Sequence, residues 1–156
     1  MTPGCGGQAN KEASVRRTRA GALWPRRAAL CLVLAAALLL AVLARVVRVE
    51  GPPQTSTLWL WAWQTGRVEF INSVTRRPVV ISFGLPWRFS GFAARTDPGT
   101  EEYYTTGAYV WNERLAGEST RRISYCSEVG VTLTLGERRF RQQSGGCLEA
   151  SLVWPP

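Results

Sequence analysis

Residues 28–44 read AALCLVLAAALLLAVLA, a run of 17 residues without a charge or a strong hydrogen-bonding side chain. As a helix it spans about 26 Å, close to the thickness of a bilayer's hydrocarbon core. It has no polar face, so it cannot lie on the surface of a soluble domain. Val46 and Val47 extend the span if Arg45 snorkels to the interface, which sets a transmembrane segment over residues 28–47. Trp24 stands at its near edge, where interfacial aromatics gather.

The flanks set an orientation. Ahead of the run lie five Arg and one Lys against a single acid, Glu12, whereas residues 45–156 carry 13 Arg against 10 acids. The excess of +8 is thus concentrated where a positive-inside signal belongs, with the N-terminus cytoplasmic and the C-terminal part translocated. The remainder is nearly balanced, which argues against nucleic acid as a partner, since phosphate binding needs a concentrated basic surface. The leading reading is an uncleaved signal anchor. A cleavable signal peptide ending at Val42-Leu43-Ala44 is the alternative, disfavoured by the long basic leader and the long apolar run. A twin-arginine export signal at Arg26-Arg27 has little of the surrounding consensus. Residues 1–27 are expected as a disordered basic tail, with Cys5 a thiol in a reducing compartment. Cys31 reads as a small apolar residue of the helix.

Residues 48–56, with Pro52-Pro53, are expected as a stiff linker. Residues 57–156 show short β-like runs and no helical stripe of ten residues. Strands are expected at 57–64, 67–72, 78–83, 102–111, 121–126, 131–135, 138–142 and 147–154, the first two joined as a hairpin through Thr65-Gly66. Residues 113–120 hold at most one helical turn. Residues 84–101 are expected as a packed loop around Trp87, Phe89 and Phe92, with Asp97-Pro98-Gly99 a turn. Val131, Leu133 and Leu135 face inward, and Leu148, Ala150, Leu152 and Trp154 share one face. The expected fold is all-β: a small antiparallel β-sandwich or barrel of about seven strands, preceded by one N-terminal transmembrane helix.

Cys126 and Cys147 are the only cysteines of the translocated part and each other's only partner there, so a disulfide is expected between them.

The chain contains no His. That removes Ser-His-Asp and Cys-His catalysis, HExxH zinc chemistry and imidazole ligation. No phosphate-cradling glycine loop is present, and no cofactor or metal site is expected. Glu69, Glu101, Glu102, Glu113 and Glu128 are the carboxylates from which a glycosidase pair would have to be drawn, but adjacent acids at a strand start are usually a solvated edge. Arg76-Arg77, Arg121-Arg122 and Arg138-Arg139 with Arg141 read as charges that guard strand ends.

The remaining constellation is aromatic. In TLWLWAWQ, Trp59, Trp61 and Trp63 recur at period two, with Leu58, Leu60 and Ala62 on the opposite face. Because both faces are apolar, burial of the strand on both sides is the expected outcome. The alternative is a row of exposed rings that contacts a ligand, a partner or the bilayer interface. The functional expectation is a membrane-anchored extracytoplasmic β domain, not an enzyme, that acts by binding or assembly. Its contacts are the bilayer through residues 28–47 and an envelope protein or polysaccharide. A secreted, lectin-like or inhibitor-like β domain and a small carboxylate-based hydrolase are the alternatives.

Overall fold

The computed structural model describes residues 23–51, 54–143 and 145–155. The expected tail thus falls mostly outside the described residues, as do the Trp24 side chain and Pro52-Pro53. The chain divides into two compact units, Met1–Ala37 and Leu38–Pro156.

Helix α1 covers Leu23–Leu43. It takes in residues 23–27, which were expected in the tail, because Pro25 falls in the first turn, where its missing N–H costs no helical hydrogen bond. Residues 26–42 are exposed throughout, and Arg26–Leu43 is apolar and long enough to cross a membrane.

The helix stops four residues earlier than expected. Strand β1 begins at once and runs Ala44–Gly51. Arg45 does not snorkel. With Val47 and Val49 it faces inward, and it is only 1% exposed. Pairing with β2 on one side and β10 on the other holds residues 44–51 in a sheet rather than a helix. Strand β2, Gln54–Trp61, pairs with β1 over its whole length. Residues 48–56 are therefore a β-hairpin and not a linker. Gly51, whose Cβ would stand 2.4 Å from Leu148 Cδ2, lies at its bend.

The other strands are β3 (Thr65–Ile71), β4 (Pro78–Gly84), β5 (Phe89–Arg95), β6 (Ser119–Thr120), β7 (Arg122–Ser127), β8 (Val131–Leu135), β9 (Arg138–Gln142) and β10 (Gly146–Trp154). They form two antiparallel sheets, a four-stranded one in the order β2-β1-β10-β7 and a six-stranded one in the order β6-β5-β4-β3-β8-β9. One apolar core lies between them, drawn from Val47, Val49, Leu60, Ala150 and Leu152 on one side and Val68, Val79, Ile81, Val131 and Leu133 on the other. The architecture is all-β, as expected, and of the two shapes expected it is the two-sheet one, with ten strands among the described residues where about seven were expected.

Three local expectations are overturned. The strands before and after Thr65-Gly66 do not pair: β2 belongs to the first sheet, and β3 pairs with β4 and β8 in the second. Gly66 is no turn residue. It sits inside β3 where Phe83 lies against the backbone, and a Cβ there would meet Phe83 Cε2 at 2.2 Å. The loop expected at 84–101 supplies β5, with Phe89 and Phe92 buried against Phe83.

The strand expected at 102–111 does not form: residues 102–105 end helix α2 (Pro98–Thr105), residues 106–110 turn the chain, and Trp111 opens helix α3 (Trp111–Ala116). Asp97 caps α2. Its carboxylate accepts from the Thr100 backbone N–H at 3.2 Å and from Thr100 Oγ1 at 2.6 Å, and Pro98 fills the first helical position. The Thr100 hydroxyl bond holds the Asp97 carboxyl below its ordinary range. Asn72 ties α2 to the sheet by donating to Tyr104 Oη at 2.8 Å. Asn112 of α3 holds the Ala94 backbone on both its polar groups, at 2.7 and 3.1 Å, in the manner of a neighbouring strand.

Cys126 and Cys147 face each other across β7 and β10, with Cα atoms 4.0 Å apart, and are disulfide-bonded. Next to Cys126, Tyr125 turns to the half-buried side and packs on Phe70. Burial, with Glu118 adding to it, pushes this phenol up to about 12 from 10.0. The folded state therefore keeps the proton after the unfolded chain has lost it. The stability Tyr125 contributes is intact below pH 10 and is lost as pH rises through about 12. In a phenolate absorbance titration Tyr125 should give a late step at about 12. That late step should vanish in Tyr125→Phe; its persistence in the variant would refute the assignment.

Candidate functional site: an aromatic surface at the start of the first sheet

The outer face of the first sheet can be followed residue by residue from the end of α1. On β1 the outward residues are Val46, Arg48 and Glu50. Opposite Val46 stand Trp59 on β2 and Trp154 on β10. Opposite Ala44 stands Trp61. Further along β1, Arg48 faces Thr57 and Ser151, and Glu50 faces Thr55 and Glu149. Arg48 pairs with Glu50 at 2.8 Å, and Arg122 with Glu149 at 2.5 Å. The surface is thus aromatic within three residues of the helix end and ionic beyond it, with the disulfide farther still.

The tryptophan row does not enter the core. Trp59 is 76% exposed, Trp61 39% and Trp63 65%, whereas Leu60 is buried. The reason is register: β2 is an edge strand that covers only one side of the core, and its leucines already fill that side. Trp61 and Trp63 stack in parallel with centroids 5.3 Å apart across the turn into β3. That turn is held by Gln64, whose side-chain oxygen accepts from the Trp61 N–H at 2.8 Å, and by Ala62, whose N–H donates to Leu43 O at 2.8 Å.

Two further exposed rings join them. Trp154 was expected on one face with Leu148, Ala150 and Leu152. A bulge at Val46/Val47 breaks that alternation, so Leu152 stays opposite inward Val47 while Trp154 falls opposite outward Val46. Its indole N–H donates to the carbonyl of Ala41, in the last turns of α1, at 3.3 Å. Trp87, in the β4–β5 loop, lies under the Arg45 guanidinium, which is 4.6 Å from its ring centroid. Five of the chain's seven tryptophans are therefore exposed close to Leu38–Leu43.

Arg45 organises this corner. Its Nε donates to Pro86 O at 2.6 Å, and Nη2 reaches the same oxygen; Nη1 donates to Val42 O at 2.6 Å and Ala44 O at 2.8 Å. The planar fork thus ties the helix C-terminus, the start of β1 and the β4–β5 loop together, and sets a cation against the negative end of the helix. On either side of the helix end lies an apolar groove. One of about 330 Å³ is lined by Leu40, Ala41, Ala44, Trp59, Trp61 and Trp154. The other, of about 300 Å³, is lined by Val42, Leu43, Arg45, Trp63, Pro86 and Trp87, with Ala62.

Period two was enough to find Trp59, Trp61 and Trp63. Trp154 and Trp87 lacked any such signal, since a bulge and a loop position them. The carboxylates considered for hydrolysis fall on separate elements: Glu69 on β3, ion-paired with Arg67, Glu101 and Glu102 on α2, Glu113 on α3, and Glu128 in the turn after β7. Among the described residues no three His, Cys, Asp or Glu side chains gather at one place. Arg138, Arg139 and Arg141 lie on β9, an outer strand of the six-stranded sheet. No family model, no curated protein and no solved structure matches the chain.

Proposed function

We propose that the protein is a membrane-anchored extracytoplasmic β domain that works by binding or assembly rather than by catalysis. The observation that carries this reading is α1. From residue 26 to residue 42 every side chain is exposed, and Leu30, Leu32, Val33, Leu34, Leu38 and Leu39 are each at least 59% exposed. A surface of that kind is stable in lipid and not in water. The disulfide between β7 and β10 supports placing the β domain in an oxidising compartment, and the basic leader supports a cytoplasmic N-terminus.

Retention of the helix is favoured over cleavage. A cut after Ala44 would divide β1, remove the Val42 and Ala44 acceptors of Arg45 from their covalent frame and take Leu43 O from Ala62. The exposed rings supply an apolar contact surface beside the helix end.

Alkaline carbonate extraction combined with thiol labelling tests the reading. The chain should stay in the membrane pellet, and Cys5 should react with a membrane-impermeant maleimide only after lysis. Release into the soluble fraction, or labelling of Cys5 in intact cells, defeats it.

A further inference from the structure

We infer that the five exposed tryptophans form an interfacial collar, through which the β domain lies directly on the bilayer that holds its own helix. The inference rests on the anchored reading of α1. Its occupant is the lipid headgroup and upper acyl region, and four observations support that choice.

The first is the absence of any spacer. Leu43 ends α1 and Ala44 begins β1. Trp61 lies opposite Ala44, and Trp59 and Trp154 lie opposite Val46. At 3.3–3.4 Å per strand residue all three start within about 10 Å of the helix end. The interfacial zone is roughly 5–8 Å deep on each side of the hydrocarbon, and an indole reaches across most of it. The domain cannot withdraw these rings from the lipid boundary without unpairing β1.

The second is the direction of the polarity change. Along the outer face, the indoles give way to Thr57, Arg48, Glu50 and the Arg122–Glu149 pair. A site for a soluble sugar or peptide has no reason to follow the distance from the helix end. A bilayer normal does.

The third is that the rings do not share one face. Trp59, Trp61 and Trp154 lie on the first sheet, Trp63 in the following turn and Trp87 in the β4–β5 loop. Grooves of about 330 and 300 Å³ flank the last turns of the helix, each walled by these indoles. Rings on both sides of a helix end suit a continuous medium better than one compact ligand.

The fourth is Arg45. It turns its guanidinium inward onto Pro86 O, Val42 O and Ala44 O, so the collar presents indoles where the sequence would place a cation. Amphipathic rings rather than a snorkelling arginine thereby mark this boundary.

The test uses the full-length protein with Trp24→Phe and Trp111→Phe, so that only the five collar rings emit. It is reconstituted into phosphatidylcholine vesicles that carry a spin label near the top of the acyl chain, with the seven-tryptophan parent in parallel. Flotation first reports whether the chain is anchored. The expected result is that the protein floats, that the shallow label reduces emission severalfold, that a label at the bilayer centre does much less, and that aqueous iodide does little. If the protein floats but iodide quenches readily and the shallow label does not, the collar is wrong while the anchor survives. If it floats and neither quencher acts, a protein surface covers the rings, and the collar is equally overturned. If the protein does not float, the anchored reading falls and the collar falls with it.

Discussion

Full-length protein carrying Arg45→Met should be less stable than the parent by about 4 kcal/mol. The side chain is 1% exposed, and its partners are Pro86 O, Val42 O and Ala44 O together with the Trp87 ring. Methionine fills the volume and takes no hydrogen bond. It leaves one buried and two part-buried carbonyls unanswered, at about 1–3 kcal/mol where burial is complete and less where water reaches them, and forfeits about 1 kcal/mol of cation–π attraction. The loss falls short of the full sum, since a buried guanidinium with no carboxylate beside it carries a desolvation cost that the variant escapes. Arg45→Lys keeps the charge but not the fork, and should recover only part of the difference. Urea unfolding in mild detergent, followed by near-ultraviolet circular dichroism, measures both. An unchanged midpoint in Arg45→Met would show that the fork fastens nothing.

Replacing both cysteines, Cys126→Ser with Cys147→Ser, should lower stability by about 3 kcal/mol, the closure entropy of a loop of this length. The bridge spans 21 residues and joins the edge strand β7 to β10. Both half-cystines lie on the exposed outer face of the sheet. Reductant should therefore reach the bond in the folded protein, and reduced parent should unfold at the midpoint of the double variant. Equal midpoints for oxidised and reduced parent would show that the register of β7 is set without the bridge.

Legibility in the sequence followed the kind of information each segment carries. Strict alternation in 131–135 and the apolar run 78–83 was enough, since only one face or one strand type fits them. The disulfide followed from elimination of partners. By contrast, Val46 and Val47 continue an apolar run, and nothing local says that the helix ends at Leu43; their pairing with β10, about a hundred residues away, decides it. In the same way, TLWLWAWQ reveals its period but not which face is covered, because both are apolar.

The segment 102–111 shows a different failure. Tyr103, Tyr104, Thr105 and Thr106 favour strands, but Asp97-Pro98 is a capping residue followed by a proline at the first helical position. That start signal was legible and was read as a turn. Packing of Tyr104 on Trp111 at 4.5 Å and the Asn72 bond then hold the helical choice against local propensity. Trp87 and Trp154 were lost for a third reason: a loop and a bulge aim them, and neither leaves a periodic trace.

Strand β1 is the first of the domain to be synthesised, and its neighbour β10 is the last. The first sheet therefore cannot close until residues 146–154 have been made. Its opening hairpin keeps one hydrogen-bonding edge bare until those residues arrive. A truncation from Gly146 onward would strand that edge and leave Cys126 without Cys147. Quality-control proteases would then meet a half-built sheet instead of a slightly weakened one.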